Sequence, residues 1–466
     1  MPALSLDFQR LRRAYAHQGL RPQALVAELY RRIAQRGDDH VWLHLLPLEE
    51  ALKRAREVEA RFDRGESLPL YGLPYGIKDN IDAAGLPTTA GCAAFSYVPP
   101  ESAAVVQLLD AAGALLLGKH NLDQFATGLV GIRNPAGFCR NSFSDEHIPG
   151  GSSSGSAVAV AAGLLSFSIG SDTGGSGRVP AACNNIVGLK PTPGVISTRG
   201  FVYGNRSFDV APVFALTVDD AYDVLQVLAQ HDPRDTQSSP EPLLAAPPVR
   251  PAAFSFGLPP PSQREFFGDL QAARQFERAV GQLIALGGTA SEIDLTPFLE
   301  AGSLVFDSAL VAERWVSYGA VASRRPEAVD PAVLASLRRA LDYTAADAFA
   351  AQYRLAELRQ LTHDVLRGVD LLLLPTCATL PRWAEVQADP QRLNTRMGRY
   401  TYFANPLHLS AISVPAGLRD DGLPFGVSLI GLPRAELRLR ALARALHERS
   451  AQRLGATPHA LRPTAS

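Results

Sequence analysis

The spacing of apolar residues predicts helices at the start of the chain. Apolar side chains at positions 26, 29, 30 and 33 recur at helical intervals, and residues 51–62 continue the pattern with charged side chains on the opposite face. We therefore predict an N-terminal helical layer over residues 1–65, ahead of a single α/β unit over residues 66–450.

A glycine- and serine-rich stretch, PGGSSSGSAVAVAAGLLSFSIGSDTGGSGR, occupies residues 149–178. It places a small helix-competent segment (157–162) and an alternating, strand-like segment (164–169) between two Gly/Ser clusters. The predicted order is loop, helix, strand, loop. Because glycine permits close backbone approach, the two loops can bring serines and free N–H groups to one point, as acyl transfer requires. Flexible linkers share this composition, but they do not usually enclose a buried helix and strand.

The remaining chain continues the α/β pattern. Predicted strands cover 370–374, 412–415 and 426–430, and predicted helices cover 267–286, 304–361 and 435–447. A segment rich in proline and serine, 232–263, is predicted to be a surface connection with a strand inside it at 254–258. Residues 451–466 form the predicted C-terminal tail.

Composition excludes several functional classes. The chain has 466 residues, of which 46% are hydrophobic and 20% charged, and its net charge of −1 does not suggest a nucleic-acid or anionic-membrane surface. The N-terminus lacks an apolar signal core, and no apolar run reaches membrane-spanning length. The four cysteines show no CxxC spacing and the ten histidines no ligand pattern, so we expect reduced thiols, no metal, no cofactor and a cytoplasmic protein.

A lysine in an apolar context, Lys78 in LYGLPYGIKDN, is the first candidate catalytic residue. On these residues alone, a lysine at a strand end that reaches solvent is the simpler interpretation. The functional interpretation is a desolvated lysine whose pKa is lowered so that it can act as a base.

Two other motifs match by spacing but fail in context. Residues 113–119 fit the GxxxxGK of a phosphate-binding loop, yet the intervening residues form a hydrophobic strand and His120 replaces the metal-binding Ser or Thr. Residues 151–155 (GSSSG) fit the nucleophile elbow of esterases, yet the preceding residues, SDEHIPG, are polar and turn-like instead of strand-like.

Three segments, GIKDN, GGSSSGS and SDTGGSGRVPA, resemble the motif of the amidase signature family. The likeness runs from about residue 70 to residue 219 and returns over the C-terminal strands. It implies an α/β fold with a large mixed central β-sheet covered by helices on both faces. It also implies a Ser–cis-Ser–Lys triad, with Ser176 as nucleophile, Ser152 as the bridging serine after a cis peptide bond, and Lys78 as base. The backbone N–H groups expected to hold the oxyanion belong to Thr173, Gly174, Gly175 and Ser176.

Flanking segments, among them NLDQFATGLVGIRNP and LVAERW, resemble the allophanate hydrolase branch of that family. The resemblance places Arg314 as the arginine that binds the substrate carboxylate, and Gly128 beside the substrate. Without it, Arg314 would be interpreted as a helix-surface arginine paired with an acid. Phe306 stands where the branch usually has a tyrosine, so a hydroxyl is missing, and Tyr203 is a candidate replacement.

The expected reaction is hydrolysis of the amide C–N bond of allophanate, giving ammonia and carbon dioxide in the end. Because of Phe306, another small carboxylated amide, such as carboxybiuret or malonamate, stays open as a substrate. The amidase subunit of a tRNA-dependent amidotransferase is a further alternative, and an inactive scaffold is disfavoured by the intact triad. The resemblance also implies a homodimer that contacts through its N-terminal helices. It would act after a urea carboxylase or a biuret- or triazine-degrading enzyme, without the extra C-terminal domain of many relatives.

Overall fold

A computed structural model describes residues 4–241, 243, 253–450 and 453–461. Its centre is an 11-stranded mixed sheet in the order β1-β3-β2-β4-β6-β5-β10-β11-β9-β7-β8. The strands are β1 Trp42–Leu45, β2 Pro74–Lys78, β3 Leu115–His120, β4 Phe167–Ile169, β5 Val187–Lys190, β6 Val213–Ala215, β7 Phe254–Leu258, β8 Gly288–Glu292, β9 Leu371–Pro375, β10 Ser410–Leu418 and β11 Pro424–Gly431.

Helices pack against this sheet along its length. They are α1 Phe8–His17, α2 Pro22–Arg36, α3 Leu48–Asp63, α4 Ala104–Ala111, α5 Ser154–Ala161, α6 Val179–Cys183, α7 Val218–Leu228, α8 Leu270–Ala285, α9 Thr296–Asp307, α10 Ala312–Arg324, α11 Pro331–Arg338, α12 Ala345–Leu366, α13 Trp383–Ala388, α14 Pro390–Gly398 and α15 Glu436–Ser450.

The central strands are covered on both faces. Every residue of β2, β3, β9 and β11 is buried, although successive side chains of a strand point to opposite faces. Strands buried in this way need a layer on each side of the sheet. This confirms the predicted α/β fold with a large mixed sheet between helical layers.

Two predicted helical regions differ from the structure. Within residues 1–65, a short strand, β1, follows α2 and pairs antiparallel with β3 at the edge of the sheet. The long predicted helix over 304–361 is divided into four helices, α9 to α12. Pro326 and Pro331 stand where new helical turns begin, because proline starts a helix readily but cannot continue one.

The division into domains stays a prediction, and parts of it fall beyond the described residues. Within the predicted connection 232–263, residues 242 and 244–252 lie outside them, while the strand expected at 254–258 is β7. Of the predicted tail, residues 451–452 and 462–466 also lie outside. Leu454, in its described part, is buried in the main hydrophobic core.

Parallel pairing of β2 with β4 brings the two signature segments together. Gly76 and Ile77 pair with Ser168 and Ile169, so both strands end at the same edge of the sheet. Lys78 is the last residue of β2, and the loop that leads to Ser176 follows β4. Chemistry at the carboxyl ends of neighbouring parallel strands is common in α/β proteins.

Candidate active site

Lys78 is fully buried and hydrogen-bonded to two serines. Its Nζ donates to Ser152 Oγ at 2.6 Å and to Ser171 Oγ at 2.9 Å. Asn80, two residues further along, donates from Nδ2 to the same Ser171 Oγ at 3.1 Å. The peptide bond between Gly151 and Ser152 is cis. The structure therefore brings Lys78 and Ser152 into direct contact and adds Ser171, which the sequence analysis did not single out.

The environment of Lys78 favours its neutral form. Burial is the largest effect and lowers the pKa of Lys78 to about 7, although the carboxylates of Asp123, Asp209 and Asp172 act in the opposite direction. None of these carboxylates forms a direct ion pair with Lys78 among the described residues. An amine with a pKa near neutrality can accept a proton at physiological pH, as a general base must.

Asp172 and Arg178 hold the loop that carries Ser176. Both side chains are completely buried and form an ion pair, with Arg178 Nε donating to Asp172 Oδ2 at 3.0 Å. The Asp172 carboxylate also accepts the N–H groups of Gly175 (2.7 Å) and Gly177 (2.9 Å). Burial raises the pKa of Asp172, but Arg178 outweighs it, and the net shift is downward. One charged side chain thus fixes the backbone on both sides of Ser176.

Ser176 faces a cavity of about 500 Å³. Its side chain makes no hydrogen bond with the described residues, in contrast to Ser152. The residues Thr173 and Gly174 line the same cavity. A serine that is nearly buried yet lines a cavity meets the steric needs of a nucleophile.

The predicted oxyanion donors need one correction. The N–H of Gly175 is already bonded to Asp172 Oδ1, so it is not available to an oxyanion. The N–H groups of Thr173, Gly174 and Ser176 have no hydrogen-bond acceptor among the described residues. Glycine is instead required at position 175 by the backbone conformation. Its φ is +139°, and a Cβ there would collide with the side chain of Thr401.

Arg314 lies in the same cavity as Ser176 and is 1% exposed. Its Nη1 donates to Thr127 Oγ1 at 2.9 Å, while its Nε has no hydrogen-bond partner. No described carboxylate forms an ion pair with it; the nearest electrostatic partner, Asp209, is bonded to Thr173 Oγ1 and to backbone N–H groups. The interpretation as a surface arginine paired with an acid is therefore wrong.

Gly128 and Phe306 also line the cavity, whereas Tyr203 does not. The Phe306 ring lies 5.3 Å from the guanidinium carbon of Arg314. The Tyr203 hydroxyl donates to the carbonyl of Thr198 at 3.1 Å and is not among the groups facing the cavity. Tyr203 is thus not a replacement for the missing hydroxyl.

Tyr402 is one of several cavity residues that the sequence analysis did not predict. Its ring lies 4.5 Å from that of Phe306, and a Cβ on Gly174 would be 3.0 Å from it. Its hydroxyl is hydrogen-bonded to Asn394. Tyr402 follows no recognisable catalytic pattern in the sequence, and only the fold places it beside the loop that carries Ser176.

Neither a metal site nor a membrane span is found in the described part of the chain. No group of three or more His, Cys, Asp or Glu side chains there is arranged to hold a metal ion. No helix within the described ranges is long and apolar enough to cross a membrane.

A family model described as Amidase matches residues 24–439 of this chain. The chain belongs to the amidase family. The resemblance inferred from GIKDN, GGSSSGS and SDTGGSGRVPA is thereby confirmed.

Among its relatives, this amidase is 41% identical over 408 residues to the urea amidolyase of Saccharomyces cerevisiae. That alignment covers 87% of this chain but only 22% of the urea amidolyase, so the chain spans less than a quarter of that relative. The selenomethionine-substituted allophanate hydrolase of Kluyveromyces lactis superposes with a TM-score of 0.88 at 36% identity, over 96% of this chain and 73% of that one. One subunit of the glutamyl-tRNA(Gln) amidotransferase of Carboxydothermus hydrogenoformans is 36% identical over 437 residues, which cover 86% of this chain and 88% of that subunit.

Proposed function

We propose that this amidase hydrolyses allophanate, the carboxylate of urea, through a covalent intermediate on Ser176. One observation carries the substrate assignment: the cavity that holds Ser176 also holds Arg314, a buried cation without a carboxylate bound to it. A buried guanidinium is costly unless it is paired, and a substrate carboxylate would complete the pair by two parallel hydrogen bonds. The names of the relatives, urea amidolyase and allophanate hydrolase, support the same substrate.

In the proposed first step, Ser176 Oγ attacks the carbonyl carbon of the terminal amide. Its proton passes to Ser152, and the proton of Ser152 passes to the neutral Nζ of Lys78. The 2.6 Å contact between Lys78 and Ser152 supports the second transfer. The pKa of about 7 supports a lysine that can accept this proton and release it again.

The carbonyl oxygen becomes an oxyanion and is held by the N–H groups of Thr173, Gly174 and Ser176. Loss of one such donor typically lowers kcat by about 100- to 1000-fold. The proton returns through Ser152 to the leaving nitrogen, and ammonia departs. Water then attacks the acyl group, with its proton taken up through Ser152 and Lys78, and releases N-carboxycarbamate. This product loses two molecules of carbon dioxide and yields a second ammonia.

The proposal is tested by ammonia release from purified enzyme with allophanate, malonamate, carboxybiuret, urea and glutamine. The Ser176→Ala variant serves as the blank. We expect rapid release from allophanate and none above the blank from urea or glutamine. Release from glutamine with allophanate inert would contradict the proposal and favour the amidotransferase alternative, since a relative of that kind covers 86% of this chain.

Phe306 is the reason to test a second class of substrate. Malonamate and carboxybiuret also join an amide to a carboxylate, and the hydroxyl that would usually contact the substrate is missing at Phe306. If the enzyme hydrolysed either compound faster than allophanate, with the triad intact, the substrate assignment would change. The proposed acyl-transfer chemistry would still hold.

We also propose that this reaction follows one that carboxylates urea or one that degrades biuret or a triazine, since either supplies an allophanate-like product. The homodimer and the cytoplasmic location implied by the resemblance remain part of this proposal. Size-exclusion chromatography with light scattering would test the dimer directly.

A further inference from the structure

The cavity around Ser176 is lined by far more positive charge than the chain as a whole carries. The overall net charge is −1. The arginines that line the cavity are Arg133, Arg314, Arg339, Arg392, Arg396 and Arg399. Among the described residues that line it, Asp307 is the single acid. A concentration of one sign of charge in a cleft focuses the field and raises the local concentration of the opposite ion.

Two of these arginines are neutralised by neighbouring acids. Arg339 pairs with Asp307 at 2.9 Å, and Arg392 pairs with Asp389 at 2.5 Å. The other four form no ion pair with any described residue. The excess charge therefore comes from these four side chains.

The four unpaired arginines differ in how deeply they are buried: two are buried and two are partly exposed. Arg133 and Arg314 are 4% and 1% exposed, and the Nε of each is buried without a hydrogen-bond partner. Arg396 and Arg399, on and just after α14, are partly exposed. The inner pair has the buried carboxylates of Asp123 and Asp209 as electrostatic neighbours, whereas the neighbour of Arg396 in the outer pair is Asp389, which is already paired with Arg392.

The outer pair is held in place by contacts other than ion pairs. The Arg396 guanidinium stacks 4.5 Å from the centre of the Phe267 ring, and that of Arg399 lies 5.7 Å from the Tyr400 ring. The Nε of Arg399 is buried and has no hydrogen-bond partner. These contacts fix the positions of both guanidinium groups while leaving their charge available to an anion.

We propose that Arg396 and Arg399 form an outer anion-binding subsite for small carboxylates, which captures the substrate at the cavity mouth before its carboxylate reaches Arg314. The size of the cavity, about 500 Å³, supports two positions, because an allophanate-sized ion occupies only a small part of it. The subsite rests on the proposed function in one respect: the substrate is taken to be an anion.

The kinetic test uses the double variant Arg396→Gln/Arg399→Gln. We expect kcat/KM for allophanate to fall about tenfold while kcat stays within twofold, because capture is lost and chemistry is not. The fall of kcat/KM with added salt should also become shallower than in the wild type. The control Arg56→Gln/Arg278→Gln removes the same charge from exposed positions on α3 and α8. Wild-type kcat/KM and salt dependence in the Arg396/Arg399 variant would overturn the subsite.

A binding measurement separates this inference from the proposed function. The dissociation constant of malonate, a small dicarboxylate, is measured by calorimetry in the Ser176→Ala background with and without the Arg396/Arg399 substitutions. At least about tenfold weaker binding in the substituted protein is expected. Weaker binding would support the subsite even if allophanate proved inert, and unchanged binding would overturn it even if allophanate were hydrolysed rapidly.

Discussion

At the scale of single residues, the central feature is a lysine whose pKa burial lowers to about 7, so that its neutral form is well populated near neutral pH. Lys78 is surrounded by serine hydroxyls instead of carboxylates: Ser152 and Ser171 accept from its Nζ, and Asn80 orients Ser171. This arrangement gives the amine hydrogen bonds without a carboxylate in direct contact, so that burial outweighs the more distant charges of Asp123, Asp209 and Asp172. The same lysine in direct contact with an aspartate would stay protonated and could not take the role of base that we propose for Lys78.

The pH dependence of activity follows from this environment. Because the pKa of Lys78 is lowered to about 7, the neutral, active form grows as the pH rises through that value. We predict that kcat/KM for allophanate rises tenfold per pH unit below about pH 7 and is constant above it. A profile measured in buffers of constant ionic strength checks this. Constant activity down to about pH 5 would show that the base is another group.

A hydroxyl restored at position 306 should strengthen substrate binding. The Phe306 ring lies next to Arg314 and Tyr402 in the cavity, so Phe306→Tyr would place a hydroxyl beside the bound substrate. A hydrogen bond of this kind contributes about 0.5–1.5 kcal/mol, so KM for allophanate should fall about two- to tenfold with kcat little changed. Steady-state kinetics, with Tyr402→Phe as a comparison, measures the effect. A higher KM in Phe306→Tyr would mean that the natural substrate requires the apolar ring.

At the scale of elements, the loop between β4 and α6 depends on one buried ion pair. Asp172 accepts from two backbone N–H groups and from Arg178, which in turn donates to Asn405 and to the carbonyl of Thr401. The loop is thereby tied to the segment that precedes β10. The loop that carries Ser176 and the N–H groups proposed to hold the oxyanion is therefore connected to this distant segment through Arg178.

Removing Arg178 should therefore destabilise the whole protein. Arg178→Met leaves Asp172 as an unpaired buried charge, which costs about 3–5 kcal/mol of unfolding free energy. Urea denaturation of the variant, beside Arg178→Met/Asp172→Asn, provides the measurement. The double variant should recover part of the loss because it removes the charge. A loss below about 1 kcal/mol in the single variant would contradict the role assigned to the pair.

The motif residues predicted much of this site, and the reasons for the omissions are physical. Lys78, Ser152 and Ser176 stand in long, specific motifs, and a positional match sufficed to propose them as the triad. The roles of Ser171 and Tyr402 depend on which atoms the fold brings within hydrogen-bond or van der Waals distance. The hydrogen bond from the Gly175 N–H to Asp172 likewise depends on the folded loop, and the spacing of the residues in the sequence does not predict it.

The strands of the sheet were predicted where they are apolar runs, as in β9, β10 and β11. The edge strand β1 was missed because its four residues, WLHL, are too few to show a period and lie next to strongly helical sequence. Pro326 and Pro331 could have indicated the breaks between the helices of residues 304–361. The long apolar pattern around them instead favoured one continuous helix.

At the scale of the whole molecule, a second buried lysine makes stability depend on pH. Lys190, in β5, is fully buried, and burial lowers its pKa to about 7. Its one hydrogen bond with the described residues goes to the carbonyl of Pro191. Between about pH 7 and 10.5, the unfolded chain binds a proton at this residue that the folded protein does not. The stability of the fold therefore rises with pH across that window and levels off below about pH 7.

We predict that Lys190→Met raises the Tm, with the largest gain at about pH 7 and a smaller gain at about pH 10. The reason is that methionine removes the cost of deprotonating or burying the amine on folding. Differential scanning calorimetry at both pH values measures the gain, with Lys53→Met on the exposed face of α3 as the control. A lower Tm at about pH 7 would show that the lysine stabilises the sheet through contacts that outweigh its burial.

The most direct test of the whole account is the ratio of kcat/KM for allophanate to kcat/KM for biuret, in the wild type and in Arg314→Met. Biuret is the neutral counterpart of allophanate, with a carboxamide in place of the carboxylate. We predict that the wild type prefers allophanate by at least about 100-fold, on the scale of a charge-assisted hydrogen-bonded pair, and that Arg314→Met loses this preference. Equal turnover of the two substrates by the wild type, or a preference that survives in Arg314→Met, would contradict it.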